Sequence, residues 1–188
     1  MIGLTANPIA IGAIIAIMVY VGIHISGAHY NPAVTVAMII RRLTSPKEAV
    51  YYILSQLIGA FLAALFVFWF NSALIYIEPS ETASVFQILF IEFAFTFFLI
   101  LVIFYVATDN RTSGNSYYGL AIGSTVTIIS FAGGGISGGA FNPAVGTGPI
   151  LVDAIMGNGN PLSHLWYYLV GPIVGAIIAA LFYKFYID

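Results

Sequence analysis

Long apolar stretches separated by short polar segments run along most of the chain. Five of them approach the roughly 20 residues that a helix needs to cross the hydrocarbon core of a bilayer. The fourth stretch, at 117–131, is the weakest of the set. The pattern predicts an all-α membrane protein with five spanning helices, at residues 8–25, 49–70, 85–107, 117–131 and 165–187.

A nine-residue pattern occurs twice, at 26–34 and at 137–145, and its copies match at six of nine positions. Each contains Asn-Pro-Ala, which is typical of a helix start with Asn as N-cap and Pro at the first helical position. The apolar segments that follow, at 33–40 and 144–151, are too short to span and predict two re-entrant half-helices. Broken backbone at membrane depth needs protein or a water-filled cavity around it, so we expect a pore. The candidate pore motifs comprise Asn31, Pro32, Ala33, Asn142, Pro143 and Ala144.

The repeat extends beyond these motifs, because residues 59–66 and 175–182 are identical at six of eight positions. The order of the predicted spans makes the two copies enter the membrane from opposite faces. Inverted repeats with broken helices that meet at the midplane are an architecture for solute pathways. We therefore expect one domain over 1–188, with an incomplete first repeat at 1–75 and a second repeat at 82–188.

Charged residues are rare and are sorted by side. Only 6% of residues are charged, 61% are hydrophobic, and the mean hydropathy is +1.02. Short loops rich in Lys and Arg stay cytoplasmic, so we expect the chain to begin outside and to end with a cytoplasmic C-terminus. The basic side carries Arg41, Arg42, Lys47, Arg111 and Lys184, and the other side carries Glu78, Glu81 and Asp153.

Several kinds of chemistry find no support in the sequence. There is no cysteine, and the three histidines have no metal-ligand spacing. No nucleophile–base pair or phosphate-binding loop stands out, so we expect no enzyme activity, cofactor, metal or nucleic-acid partner. The first apolar run lacks the basic start of a signal peptide, and we expect it to be retained as a span.

Four groups of residues together form a family pattern: the segment 26–35, Glu92 with Thr96 and Phe97, the segment 119–123, and Gly-Pro at 171–172 followed by Gly-Ala at 175–176. This set resembles the aquaporin (major intrinsic protein) family. The resemblance implies six spanning helices and two half-helices in a right-handed bundle, and a homotetramer with one pore in each protomer. It also implies an integral protein of the plasma membrane that passes water or a small neutral solute through the lipid bilayer.

The sequence departs from the family pattern at its start. Glu92 lies in the first span of the second repeat, and its counterpart in the first repeat would fall at position −19. We therefore expect the family's first helix to be missing, either because the true start lies upstream or because the chain is a truncated product. Without the helix that they pack against, the half-helices would expose polar backbone groups to lipid, which costs free energy.

A second departure concerns selectivity. The family places an Arg three residues after the second motif Asn, and this sequence has Val145 there. Alignment to the family gives Ile11, Ser130 and Gly139 as the other constriction residues. This set is small and apolar, so we expect a wider and less polar mouth that admits solutes such as glycerol or urea. The backbone carbonyls expected to line the pore belong to Gly27, Ala28, His29, Gly138 and Ala140.

The expected mechanism is passive. Each half-helix N-terminus carries about half a positive charge, so two facing ends repel cations and protons while neutral solutes hydrogen-bond to Asn31 and Asn142. Glu92 is expected to hold the second re-entrant loop through backbone N–H groups, with a role as a proton relay as the alternative. His29 is either a structural hydrogen-bonding residue or a pH gate. The alternatives for the whole chain are a secondary transporter or a non-conducting, truncated membrane subunit.

Overall fold

The computed structural model describes residues 7–157 and 159–187, so the ends of the predicted domain, at 1–6 and 188, lie outside the described residues. The described chain is helical and contains no strand. Seven α-helices account for most of it: α1 Pro8–Ser26, α2 Pro32–Ile40, α3 Pro46–Asn71, α4 Val85–Ile103, α5 Tyr118–Ser137, α6 Pro143–Met156 and α7 Leu165–Tyr186.

Five of the helices are long and apolar enough to cross a membrane, and they coincide with the five predicted stretches. The predicted all-α architecture of five long apolar helices and two half-helices is therefore confirmed. The fourth span differs most, because α5 continues past residue 131 to Ser137. Its glycines lower the local hydropathy, yet Gly133 is held in close contact, since a Cβ there would lie 2.7 Å from the ring of Phe95.

The two short helices begin where the repeated motifs predict. α2 starts at Pro32 and α6 at Pro143, one residue before the predicted ranges. α6 extends to Met156 rather than 151 and contains Pro149 in its interior. Gly157 follows its last residue, and a Cβ there would lie 2.1 Å from an oxygen of the Asp153 carboxyl group.

Close backbone contacts hold four of the five spanning helices together in two pairs. α1 packs against α5, where a Cβ at Gly12 would lie 2.3 Å from the carbonyl oxygen of Gly123. α4 packs against α7, where a Cβ at Gly175 would lie 2.3 Å from the carbonyl oxygen of Phe93. Small residues allow this close approach of helices in a membrane.

The repeat is not symmetric in its packing. Gly59 of α3 corresponds to Gly175 of α7, but within the described residues no atom lies within 4 Å of a Cβ built at Gly59. The face of α3 that corresponds to the α4-facing side of α7 is therefore uncovered in the described part of the chain.

Candidate pore

The two motif asparagines cap the half-helices in the same way. The Oδ1 atom of Asn31 accepts the backbone N–H of Ala33 at 2.8 Å, and the Oδ1 atom of Asn142 accepts that of Ala144 at 2.9 Å. Both asparagines have extended backbone, as an N-cap residue requires. Proline follows each of them at the first helical position, where its missing N–H costs nothing.

The same two side chains also bind the opposite loop. The Nδ2 atom of Asn31 donates to the carbonyl oxygen of Phe141 at 3.0 Å, and that of Asn142 donates to the carbonyl oxygen of Tyr30 at 2.9 Å. An amide nitrogen carries two hydrogens, so each asparagine retains a second N–H that these bonds do not use. The reciprocal bonds bring the N-termini of α2 and α6 together at one place.

A left-handed backbone makes these bonds possible. Tyr30 and Phe141 have φ values of 46° and 47°, and each directly precedes a motif asparagine. Such a conformation costs a residue with a side chain on the order of 1–3 kcal/mol and persists only where the surroundings impose it. Here it accompanies carbonyl groups that accept from the opposite asparagine.

A cavity of about 450 Å³ connects the two motifs. Asn31 and Asn142 both line it, whereas Pro32, Ala33, Pro143 and Ala144 lie buried in the helix starts. The four residues predicted to form the constriction line the same cavity: Ile11, Ser130, Gly139 and Val145. The five residues predicted to supply pore carbonyls line it as well: Gly27, Ala28, His29, Gly138 and Ala140. The fold thus brings together residues from both repeats that the sequence separates by more than 100 positions.

Glu92 lies behind the second loop and does not line the cavity. Its carboxylate is fully buried and accepts the backbone N–H groups of Ala140 at 3.1 Å and Phe141 at 2.7 Å. The hydroxyl of Ser137 donates to it at 2.7 Å. Three donors therefore compensate the burial of the carboxylate. These contacts suit a residue that positions the loop, and they give no support to a proton relay along the cavity.

The family model described as "Major intrinsic protein" matches residues 1–183 of the chain. The chain belongs to this family. It is therefore an integral, multi-pass membrane protein, in agreement with its five apolar spans.

Individual relatives are similar over nearly all of this major intrinsic protein. A probable NIP-type aquaporin of Nicotiana alata is 38% identical over 92% of the chain, which spans only 62% of that relative. The glycerol uptake facilitator protein-like 6 of Lactiplantibacillus plantarum is 38% identical over 92% of the chain and 80% of the relative. The solved aquaglyceroporin of Plasmodium falciparum has the same fold, with a TM-score of 0.86 at 24% identity, over 96% of this chain and 81% of that one.

The first re-entrant loop is held by a polar cluster between α2 and α3. The Nδ1 atom of His29 lies 3.2 Å from the Thr35 hydroxyl oxygen, which also accepts from the Gln56 amide at 3.0 Å. The His29 ring stacks on Tyr52, with their centroids 4.7 Å apart. His29 therefore has structural partners on one side and the cavity on the other.

Most of the cavity wall consists of aliphatic residues that the motifs do not reveal. Ile11, Ile15, Val19 and Ile23 form a stripe on α1 at intervals of four residues. Further wall residues follow from α5 (Ile122, Val126 and Ile129), from α4 (Leu99 and Ile103) and from the π-helical segment Phe104–Thr108 after α4 (Ala107). Helical spacing carries a signal for these residues, but the same spacing marks any packed helix face. Ile77, in the linker between α3 and α4, also lines the cavity and carries no sequence signal at all.

Proposed function

We propose that this chain forms a passive channel for water and small neutral solutes, and that it is not an enzyme. One observation carries the proposal: Asn31 and Asn142 start two half-helices from opposite repeats, bind each other's loops and line one cavity. Two helix N-termini at one place present about one positive charge in total. Such a centre repels cations, including protons, and leaves neutral solutes free to accept hydrogen bonds.

The walls of the cavity support a neutral substrate. Among the described residues that line it, none is Asp, Glu, Lys or Arg. A coupled transporter would need a carboxylate on the pathway, and the Glu92 carboxylate lies behind the loop instead. Solutes would thus cross by exchanging water for amide and carbonyl groups, with no ion to drive them.

The outer constriction favours solutes larger than water. We propose Ile11, Ser130, Gly139 and Val145 as its residues, all of which line the cavity. Val145 is 41% exposed and places an aliphatic side chain where the family pattern has Arg. A small, largely apolar mouth suits polyols and urea, and the similarity to a glycerol uptake facilitator agrees with it. The five carbonyl residues then serve as acceptors along the path.

The chain spans about three fifths of the length of the plant relatives that it matches, so the properties of a whole protein are part of this proposal. We propose a homotetramer in the plasma membrane with a cytoplasmic C-terminus. The sorting of basic residues to one side supports this orientation. We also keep the predicted division of one domain into an incomplete first repeat at 1–75 and a second repeat at 82–188.

Stopped-flow light scattering on proteoliposomes tests the proposal. Fast osmotic shrinkage, followed by re-swelling in glycerol or urea, is the expected result, and neither rate should saturate or respond to an ion gradient. Empty liposomes are the control. Rates equal to those of empty liposomes would support the non-conducting alternative, and saturable transport that follows an ion gradient would support a secondary transporter.

A further inference from the structure

The linker between α3 and α4 reaches the cavity through one side chain. This linker covers residues 72–84, contains no helix, and follows α3 on the side opposite to the basic residues. Of its residues, Ile77 lines the cavity together with Ile11, Ser130, Gly139 and Val145. We propose that Ile77 is a further specificity-determining residue at the outer constriction, and that its side chain limits the size of the polyols that enter.

The backbone around Ile77 is fixed at two points, one in the second re-entrant loop and one in the last turn of α5, which leads into that loop. The carbonyl oxygen of Glu78 lies so near Gly138 that a Cβ there would approach it to 2.8 Å. Two residues later, the backbone N–H of Ser80 donates to the carbonyl oxygen of Ile136 at 3.0 Å. Gly138 has a φ of 91°, which an L side chain rarely adopts, so both its conformation and its surroundings require glycine.

The side chain of Ile77 is held as well. It packs against a small buried cluster formed by Ala140, Ile150 and Tyr168. The Tyr168 hydroxyl donates to the carbonyl oxygen of Ser137 at 2.6 Å, which ties this cluster to the start of the same loop. Ile77 is therefore a fixed, half-buried part of the mouth, since its neighbours on both the linker and the loop are anchored.

The effect on selectivity follows from the sizes of the side chains around it. Gly139 has no side chain and Ser130 has a small one, so they leave the mouth wide. A branched aliphatic residue from the linker fills part of that width and adds apolar surface. It allows a solute with a carbon face, such as a short polyol, to pass and hinders longer or branched ones. This inference rests on the proposed channel function and refines it to a size limit on polyols.

Ile77→Ala tests the size limit in proteoliposomes, with glycerol and the four-carbon polyol erythritol as solutes. The ratio of erythritol to glycerol flux should rise about tenfold, the order of discrimination that a few carbon atoms provide in an apolar site. Ile75→Ala is the matched control, because Ile75 is half-buried in the same linker and does not line the cavity. An unchanged ratio in Ile77→Ala, or an equal rise in Ile75→Ala, would overturn the inference.

Cysteine labelling provides a second readout that does not depend on flux. The chain has no native cysteine, so Ile77→Cys and Ile75→Cys each carry a single thiol. Glycerol in excess should slow the reaction of Cys-substituted position 77 with a methanethiosulfonate reagent and leave position 75 unaffected. If the unmodified chain carries no solute, the channel proposal fails. Slower labelling of position 77 in the presence of glycerol would still support the inference that Ile77 lies in a polyol site. Equal labelling with and without glycerol at position 77 would refute that place.

Discussion

The carboxylate of Glu92 accepts the backbone N–H of Phe141 at 2.7 Å, which joins the middle of α4 to the residue just before the second motif asparagine. Phe141 is also the residue whose carbonyl oxygen accepts from Asn31. One peptide segment thus connects a buried carboxylate, the first motif and the second. A change at Glu92 should therefore disturb the assembly of the pore before it changes its selectivity.

Glu92→Gln should lower folded yield and thermal stability. Glutamine keeps the size of the side chain but replaces one acceptor oxygen by an NH₂ group, which leaves at least one of the donors Ser137, Ala140 and Phe141 unpaired. A buried unpaired donor costs about 1–3 kcal/mol. Size-exclusion chromatography and a thermal melt in detergent measure the loss.

The control for this change is Glu81→Gln, because Glu81 is exposed in the linker before α4. It removes the same charge and should leave yield and melting temperature unchanged. A Glu92→Gln protein with normal yield and altered solute selectivity would contradict the structural role and favour a role on the pathway.

Asn142→Asp should weaken the exclusion of cations. The carboxylate places a negative charge beside two helix ends that together carry about one positive charge, so it cancels most of the barrier. A potassium or proton leak into proteoliposomes should rise relative to the unmodified chain.

Asn160→Asp adds the same charge outside this cavity, at an exposed position before α7, and should leave the leak unchanged. If Asn142→Asp leaks no more cations than Asn160→Asp, the paired helix ends do not set the barrier. Water flux measured on the same vesicles shows whether the pore remains open in both proteins.

The stability of the segment that follows α4 should depend on pH through Asp109. Hydrogen bonds from the Arg111 guanidinium, and then from the Tyr183 hydroxyl, hold the pKa of Asp109 well below its usual range. A carboxyl group with a lowered folded pKa contributes stability above its unfolded pKa of about 3.9, and this contribution is lost as the pH falls through the folded pKa.

Asp109→Asn should thus have a lower melting temperature than the unmodified chain. The difference should be constant between about pH 5 and pH 8, which lies above the unfolded pKa. The margin should shrink only in more acidic buffer. Thermal melts across this range test the prediction, and a margin that closes already near neutral pH would rule out Asp109 as the source.

The parts of the structure that the sequence predicts are those imposed by the membrane. The spans are long because the hydrocarbon core is thick. The half-helices start at Asn-Pro because the Asn side chain accepts a free backbone N–H of the first turn and Pro has a φ angle that suits the first helical position. α5 extends beyond the predicted limit at residue 131 to Ser137, because close packing of Gly133 against Phe95 is not visible in the hydropathy of the sequence. Only the resemblance to the family, and no local pattern, points to Ile11 and Ser130 as constriction residues.

The remaining parts depend on contacts between distant residues. The bonds from Asn31 and Asn142 to opposite loops require left-handed backbone at Tyr30 and Phe141, which are not residues that favour it. The position of Ile77 depends on how a linker without helix or strand crosses the second loop. Apolar periodicity predicts neither the backbone conformation at Tyr30 and Phe141 nor the position of Ile77, because these residues do not belong to a helix or a strand.

Val145→Arg should reduce glycerol and urea flux more than water flux. The guanidinium is larger than the valine side chain and carries a charge that keeps its own hydration, so it narrows the mouth for a solute more than for a water molecule. Val145→Ala is the matched change in the opposite direction and should raise glycerol flux. Re-swelling rates in glycerol and urea, divided by the shrinkage rate of the same vesicles, give the comparison. Equal fractional losses of water and solute flux in Val145→Arg would mean that Val145 does not form the constriction, and the limit would then lie elsewhere along the aliphatic wall.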